Sequence, residues 1–111
     1  MEHLNKVELK GIVGTVKVTD VGDSAVARIS VATNYIYKDR TGTPVVDTTW
    51  HSVTVWKEKC RGFADLRKGC GVHVTGRLRT QRYTAMDGSE RSFTEVIADA
   101  CEVIAQPRRN D

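Results

Sequence analysis

The stretch 48–69, TTWHSVTVWKEKCRGFADLRKG, contains the change of pattern that decides the fold. Its first part, residues 48–56, is rich in β-branched side chains and predicts a strand. From about Lys57 to Leu66 the alternation stops, and this segment predicts a short helix that Gly62 weakens. The segment Arg67-Lys68-Gly69 is typical of a helix C-terminus. We therefore expect a strand followed directly by a short helix.

The rest of the chain predicts further strands separated by turn residues. The five expected strands are approximately Asn5–Val18, with Gly11 and Gly14 at bends or bulges, Ala25–Tyr37, Val45–Trp56, Gly71–Thr84 and Arg91–Ile104. Five strands with a short helix between the third and fourth indicate an all-β OB-fold, a five-stranded Greek-key barrel. An SH3-like barrel is the closest alternative, but the helix position favours the OB-fold. We assign residues 1–104 to one OB-fold domain and residues 105–111 to a short polar tail.

The composition places the chain among ordinary globular domains. It has 111 residues, of which 40% are hydrophobic and 28% charged, and this argues for one domain and against wholesale disorder. No apolar run approaches the roughly 20 residues that span a bilayer. The N-terminus lacks the pattern of a secretory signal. We therefore expect an intracellular, cytoplasmic protein with no membrane partner.

Three cysteines at irregular spacing form a poor disulfide framework. A zinc site made of Cys60, Cys70, His51 and His73 is the alternative, but the chain has no C-x-x-C pair of the kind that structural zinc sites usually carry. We predict no metal and no cofactor. We also predict no enzyme, because no cluster of carboxylates lies near a His or Lys where magnesium or an activated water would be held.

Both tryptophans lie on one face of the third strand. Alternation puts Trp50, Ser52, Thr54 and Trp56 on one face and His51, Val53 and Val55 on the other. The valines mark the core face, so the tryptophans belong to the more polar face. For either tryptophan alone, core packing or a subunit interface is the alternative, since Trp is usually largely buried.

The fourth strand combines arginine with an aromatic ring. His73, Thr75, Arg77, Arg79, Gln81 and Tyr83 share the predicted outer face, whereas Val72, Val74, Gly76 and Leu78 share the predicted core face. Between Leu66 and Met86 there are five basic residues and no acidic ones. This charge suits a polyanion, and a solvated charged face is the alternative.

The second strand ends in two tyrosines followed by basic residues. Tyr35 and Tyr37 share their parity with the apolar Ile29 and Val31. We therefore expect a bulge or strong bend near residues 32–34 that turns the tyrosines outward.

Exposed aromatic rings beside basic side chains suit single-stranded nucleic acid. Unpaired bases stack on such rings without being read by sequence, while Lys and Arg neutralise phosphates. The predicted DNA-binding residues are Tyr35, Tyr37, Lys38, Trp50, Trp56, Arg77, Arg79, Arg82 and Tyr83.

The same stretches resemble the bacterial single-stranded DNA-binding protein (SSB) family. The matching pieces, in the family's order, are Asn5-Lys6-Val7 with Leu9, Gly11-Ile12-Val13-Gly14, Ala25-Val26-Ala27, Val31-Ala32-Thr33, Trp50-His51-Ser52-Val53, Leu66-Arg67-Lys68-Gly69, Gly76-Arg77-Leu78-Arg79-Thr80 and Thr94-Glu95-Val96. The resemblance implies an OB-fold that coats single-stranded DNA with little sequence preference in replication, recombination or repair. It also implies a nucleoid-associated homo-oligomer, with a tetramer favoured over a dimer.

By position, the resemblance implies base-stacking roles for Tyr37, Trp50, Trp56 and Tyr83, and a place near the subunit interface for His51. Family members usually continue through a Gly/Pro/Gln-rich linker to an acidic C-terminus that recruits replication and repair proteins. This sequence ends instead in QPRRND, which leaves such partners open. The alternative is a tail-less primosome accessory protein of the same fold that acts mainly through protein contacts.

Overall fold

Six strands make up most of the described part of the chain. The computed structural model describes residues 1–107, and residues 108–111 of the predicted tail lie outside the described part. The strands are β1 (Val7–Val21), β2 (Ser24–Lys38), β3 (Pro44–Trp56), β4 (Cys60–Arg61), β5 (Gly71–Thr84) and β6 (Glu90–Ala105). No helix within residues 1–107 is long and apolar enough to cross a membrane.

The sheet closes on itself. Its strand order is β3-β2-β1-β5-β6-β4, and a parallel pairing of β3 with β6 joins Val53 to Val96 and Thr54 to Ile97. The five long strands thus form a closed barrel, and the predicted OB-fold is confirmed. Closure leaves few strand edges unpaired, which suits a short all-β chain.

Small β-branched side chains fill the barrel. The inner faces of β2, β3 and β5 alternate as expected, and their buried members include Ala27, Ile29, Val31, Val53, Val55, Val72 and Val74. Burying one such side chain stabilises the fold by roughly 1.5–3 kcal/mol relative to leaving it exposed.

The first strand bends where two glycines stand. Its register with β2 shifts between Val13 and Thr15, so a bulge lies at Gly14. At Gly11, a Cβ would collide with the carbonyl oxygen of Ala32. Glycine at this position lets β1 cross close to β2 as the barrel curves.

The segment between β3 and β5 is helical only in short pieces. Two 3₁₀ turns, Lys57–Lys59 and Phe63–Asp65, flank β4 in place of one continuous helix. Gly62 adopts φ 80°, and a Cβ there would lie 3.1 Å from Cβ of Val103 on β6. The chain runs against β6 at this point, and the left-handed conformation of Gly62 interrupts the helix.

Two hairpins extend beyond the barrel, which we call the β2–β3 arm (residues 34–48) and the β5–β6 arm (residues 77–94). Most of their side chains are exposed on both faces. The pairing of β2 with β3 runs without a shift from Val26 to Lys38. The predicted bulge near residues 32–34 was therefore wrong, because Tyr35 and Tyr37 are exposed by lying beyond the barrel.

Leu78 also differs from its predicted place in the core. It is 48% exposed, because β5 leaves the barrel after Gly76 and Leu78 already belongs to the arm. The side chain of Asn5 holds this part of β5 by donating to the carbonyl of Leu78 at 2.8 Å and accepting from its N–H at 2.9 Å.

Candidate nucleic-acid interface

Trp50 lies on the outer face of β3 and is 60% exposed. One edge of its indole covers the bulge in β1, since a Cβ at Gly14 would lie 2.7 Å from Cη2 and would collide with Cζ3. Next to it, Ser30 Oγ accepts a hydrogen bond from the N–H of Thr15 at 2.9 Å and lies 2.8 Å from its hydroxyl. The backbone of β1 therefore supports the ring from one side, and the rest of the ring faces solvent.

Trp56 shares this face at the end of β3 and is 37% exposed. It lies six positions after Trp50, which corresponds to about 20 Å along a strand. Two rows of polar side chains cross β1, β2 and β3 between the two rings. The pairing register gives the rows as Thr15–Ser30–Ser52 and Lys17–Arg28–Thr54.

These rows line an open groove of about 280 Å³ whose other wall includes Phe93 and Glu95 of β6. Lys17 and Arg28 are exposed and lie opposite one another. Glu95 is the one acidic residue that lines the groove, and Gln81 Nε2 donates to its Oε1 at 3.2 Å. The groove thus offers two cations and several hydroxyl groups between two indoles, an arrangement that suits a chain of phosphates and bases.

The β5–β6 arm carries the predicted basic residues. Register and alternation put Arg77, Arg79 and Tyr83 on one face, together with Gln81, Phe93 and Glu95. Arg82 pairs with Ser92 on the opposite face, which it shares with Leu78 and Thr80. The structure therefore brings the first three residues to the side that adjoins the groove and does not bring Arg82 there.

Tyr83 stacks edge-on against Phe93, with ring centroids 6.0 Å apart and an interplanar angle of 64°. Phe93 is 42% exposed. The turn that joins the two strands is held by Asp87, whose Oδ1 accepts from the N–H and the hydroxyl of Ser89 at 2.9 and 2.6 Å. These bonds, that of the hydroxyl first, lower the pKa of Asp87.

Tyr35 and Tyr37 form a second aromatic pair on the β2–β3 arm. Their ring centroids lie 6.3 Å apart at an interplanar angle of 29°. Tyr35 lies opposite Asp47, whereas Trp50 lies opposite Ala32. Because neighbouring residues alternate, the tyrosines occupy the opposite face of the hairpin from Trp50. Lys38 ends β2 beside them.

Comparison with known proteins decides the family. The model of the single-strand binding protein family matches residues 4–104. The chain belongs to this family. A single-stranded DNA-binding protein of Xanthomonas campestris is 36% identical over 105 residues, which are 91% of this chain and 60% of that protein. A single-stranded DNA-binding protein of Neisseria meningitidis is 32% identical, and the alignment covers 96% of this chain and 63% of that protein. The chain thus spans about three fifths of the length of these relatives.

Solved structures of the family share the barrel. A Plasmodium falciparum SSB in complex with single-stranded DNA superposes with a TM-score of 0.73 at 31% identity and covers 95% of this chain and 96% of its own. A deletion mutant of the Thermus aquaticus single-stranded DNA binding protein gives a TM-score of 0.71 at 23% identity, covering 91% of this chain and 50% of that one, and shows the shared fold.

His51, the residue predicted at a subunit interface, is half-buried on the inner face of β3. Its Nε2 lies 2.8 Å from the hydroxyl of Thr33. The ring is therefore oriented by β2 and points away from the face that carries Trp50. Residues 1–107 contain no group of three or more His, Cys, Asp or Glu side chains placed to hold a metal ion.

Sequence reasoning missed three residues of the interface, Lys17, Arg28 and Phe93. Arg28 has a signal in the sequence, because it alternates with the apolar Ala27 and Ile29. Lys17 becomes visible only once the register sets it beside Arg28. Phe93 has no local signal, since its exposure depends on the length of the β5–β6 arm.

Proposed function

We propose that this protein binds and coats single-stranded DNA with little sequence preference. The observation that carries the proposal is the exposed Trp50, supported on Gly14 beside the groove that contains Lys17 and Arg28. Stacking of a base on such a ring contributes roughly 1–3 kcal/mol and does not depend on base identity. Membership of the family supports the proposal, as does the solved relative in complex with single-stranded DNA.

The role proposed is non-catalytic, in DNA replication, recombination or repair. Phosphates contact Lys17 and Arg28 in the groove, and Arg77 and Arg79 on the neighbouring arm. Bases stack on Trp50 and Trp56, and on the Tyr83–Phe93 pair. The protein works in the cytoplasm at the nucleoid, where it protects the exposed strand.

The two aromatic faces of the β2–β3 arm constrain the path of a bound strand. A strand that contacts Trp50 on one face and Tyr37 on the other has to pass around the hairpin. Lys38, at the end of β2, then supplies a cation where the path turns. Tyr35 and Tyr37, already stacked on each other, form a separate platform for bases on the far side.

We further propose a homo-oligomer, with a tetramer favoured over a dimer and with His51 near the contact between subunits. One observation favours the alternative of an accessory protein that acts through protein contacts. Ile36 and Val46 are both exposed and lie directly opposite each other on the β2–β3 arm, forming an apolar pair. A weakly binding dimer supports the accessory role, and a tightly binding tetramer supports coating.

The deciding experiment is a titration with oligo-dT monitored by tryptophan fluorescence at several salt concentrations. We expect quenching, and affinity that falls as salt rises because phosphate contacts release counterions. Trp50→Ala and Trp56→Ala variants with unchanged thermal melting should each bind more weakly. Absence of quenching, together with absence of gel retardation of a single-stranded oligomer, would sink the proposal.

A further inference from the structure

The three cysteines of the chain, distant in sequence, meet in the barrel wall. Cys60 of β4 lies directly opposite Cys101 of β6 in a parallel pair. Cys70 and Cys101 belong to the buried core, and Cys60 packs against it. All three are free thiols. The proposed DNA-binding role uses none of them.

The placement of Cys60 and Cys101 suits a disulfide. Neighbouring strands lie about 4.7–4.9 Å apart, and disulfides join Cα atoms that are about 4.4–6.8 Å apart. The close approach of Gly62 to Val103 keeps β4 against β6. Because β4 has only two residues between two 3₁₀ turns, no long hydrogen-bonded ladder opposes the small adjustment that bond formation requires.

The two thiols differ in exposure and acidity. Cys60 is half-buried at an open groove of about 410 Å³ that Lys59, Arg61 and Cys101 also line, whereas Cys101 is 3% exposed. The neighbouring Cys101 thiol lowers the pKa of Cys60, and the same interaction together with burial raises the pKa of Cys101. Since the thiolate is the reactive form, Cys60 meets an oxidant first.

We propose that Cys60 and Cys101 form a dithiol site that a peroxide oxidises to an intrachain disulfide. The Cys60 thiolate attacks one oxygen of hydrogen peroxide and the O–O bond breaks, which gives a sulfenic acid on Cys60 and a hydroxide ion. This hydroxide takes up the proton that the Cys60 thiol released and becomes the first water. The sulfur of Cys101 then attacks the Cys60 sulfur, forming the S–S bond and breaking the S–O bond. The Cys101 proton and the departing hydroxide form water. Two thiols are oxidised, and one peroxide is reduced to two waters.

The test uses the reduced full chain and equimolar hydrogen peroxide, followed by alkylation of the remaining thiols and peptide mapping without reductant. Free thiols should fall from three, the number in the sequence, to one. A peptide that joins Cys60 to Cys101 should appear and disappear on reduction. The Cys70→Ala variant should form the same bond. The Cys60→Ser variant, altered at a half-buried position, should keep both remaining thiols.

Three results would overturn the proposal. A wild-type peptide that joins Cys70 to Cys101 would show that Cys70, not Cys60, pairs with Cys101. Sulfinic acid on Cys60 with Cys101 still free would show that the two sulfurs do not meet. A disulfide that links two chains on a non-reducing gel, with none within a chain, would place the reaction between molecules. If Cys70→Ala fails to fold, mapping of the wild type alone decides among these results.

Discussion

The indole of Trp50 occupies the space that a side chain at residue 14 would need. The bulge in β1 and the aromatic ring on β3 therefore form one unit, although 35 residues lie between Gly14 and Trp50 in the sequence. A substitution at Gly14 therefore acts on the proposed DNA-binding face without removing any side chain proposed to contact DNA.

Gly14→Ala is expected to displace the ring of Trp50 and weaken binding of oligo-dT. The loss should be about 5- to 150-fold, the equivalent of one stacking contribution of about 1–3 kcal/mol. Fluorescence titration measures it. In a Trp50→Ala background the same substitution should cause little further loss, and a full additional loss would contradict the coupling.

Removal of either cation in the groove should reduce the salt dependence of binding. Binding should weaken less steeply with salt in Lys17→Ala and in Arg28→Ala. Each variant should reduce the magnitude of the slope of log association constant against log salt concentration by about 0.7, the value for one phosphate contact on a single strand. Lys59→Ala, in the other groove, is the matched control and should leave the slope unchanged. Equal slopes in all variants would exclude a phosphate path through Lys17 and Arg28.

The stacked tyrosines should matter only to strands long enough to pass around the β2–β3 arm. Tyr35→Ala and Tyr37→Ala should weaken binding of long oligo-dT and have little effect on the shortest oligomer that still quenches tryptophan fluorescence. Ile36→Ala, on the opposite face of the same strand, is the control. If the tyrosine variants weaken short and long oligomers equally, the proposed path around the arm is incorrect.

Phe93 should contribute to binding through its contact with Tyr83. The single substitutions Phe93→Leu and Tyr83→Leu should each reduce affinity, and the double variant should lose less than the sum of the two. Isothermal titration of folded variants tests this. If the two losses of binding free energy are additive, Tyr83 and Phe93 do not bind DNA as one surface despite their edge-on contact.

The loop of the β2–β3 arm should respond to acid through Asp39. Its Oδ1 accepts from the hydroxyl and the N–H of Thr41 and from the N–H of Thr43, and these bonds, that of the hydroxyl first, lower the pKa of Asp39 below its ordinary value of 3.8. Because its pKa is lowered in the folded loop, the ionised carboxylate stabilises the loop at any pH above the ordinary pKa. This contribution to stability is lost as the pH falls through the lowered pKa.

An NMR titration of the Asp39 carboxyl group measures the effect. The midpoint in the wild type should lie below 3.8, and Thr41→Val, which lacks the donating hydroxyl, should raise it towards that value. A wild-type midpoint at the ordinary value, or one that Thr41→Val does not move, would show that the hydroxyl bond is absent in solution.

The exposed face of β3 follows from the sequence, because alternation along residues 50–56 separates valines from tryptophans in a regular strand. Leu78, Tyr35 and Phe93 show where this reasoning ends. Parity tells which residues share a face, but whether that face is covered depends on where the strand leaves the barrel, and local sequence does not specify that point. The pairing of Cys60 with Cys101 is equally hidden, since only closure of the barrel brings β4 to β6.

The unbroken pairing of β2 with β3 gives the arm a simple geometric property. Val31 and Tyr35 belong to the same side of one continuous ribbon, so the side that lines the apolar interior becomes, four residues later, a surface in water. Insertion of a single residue into β2 between these two positions would exchange the faces of the hairpin beyond it and put the tyrosines on the side of Trp50. Insertion of two would preserve the faces and only lengthen the reach. Whether an odd or an even number of residues lies between these two positions thus sets whether bound DNA has one aromatic surface to follow or two.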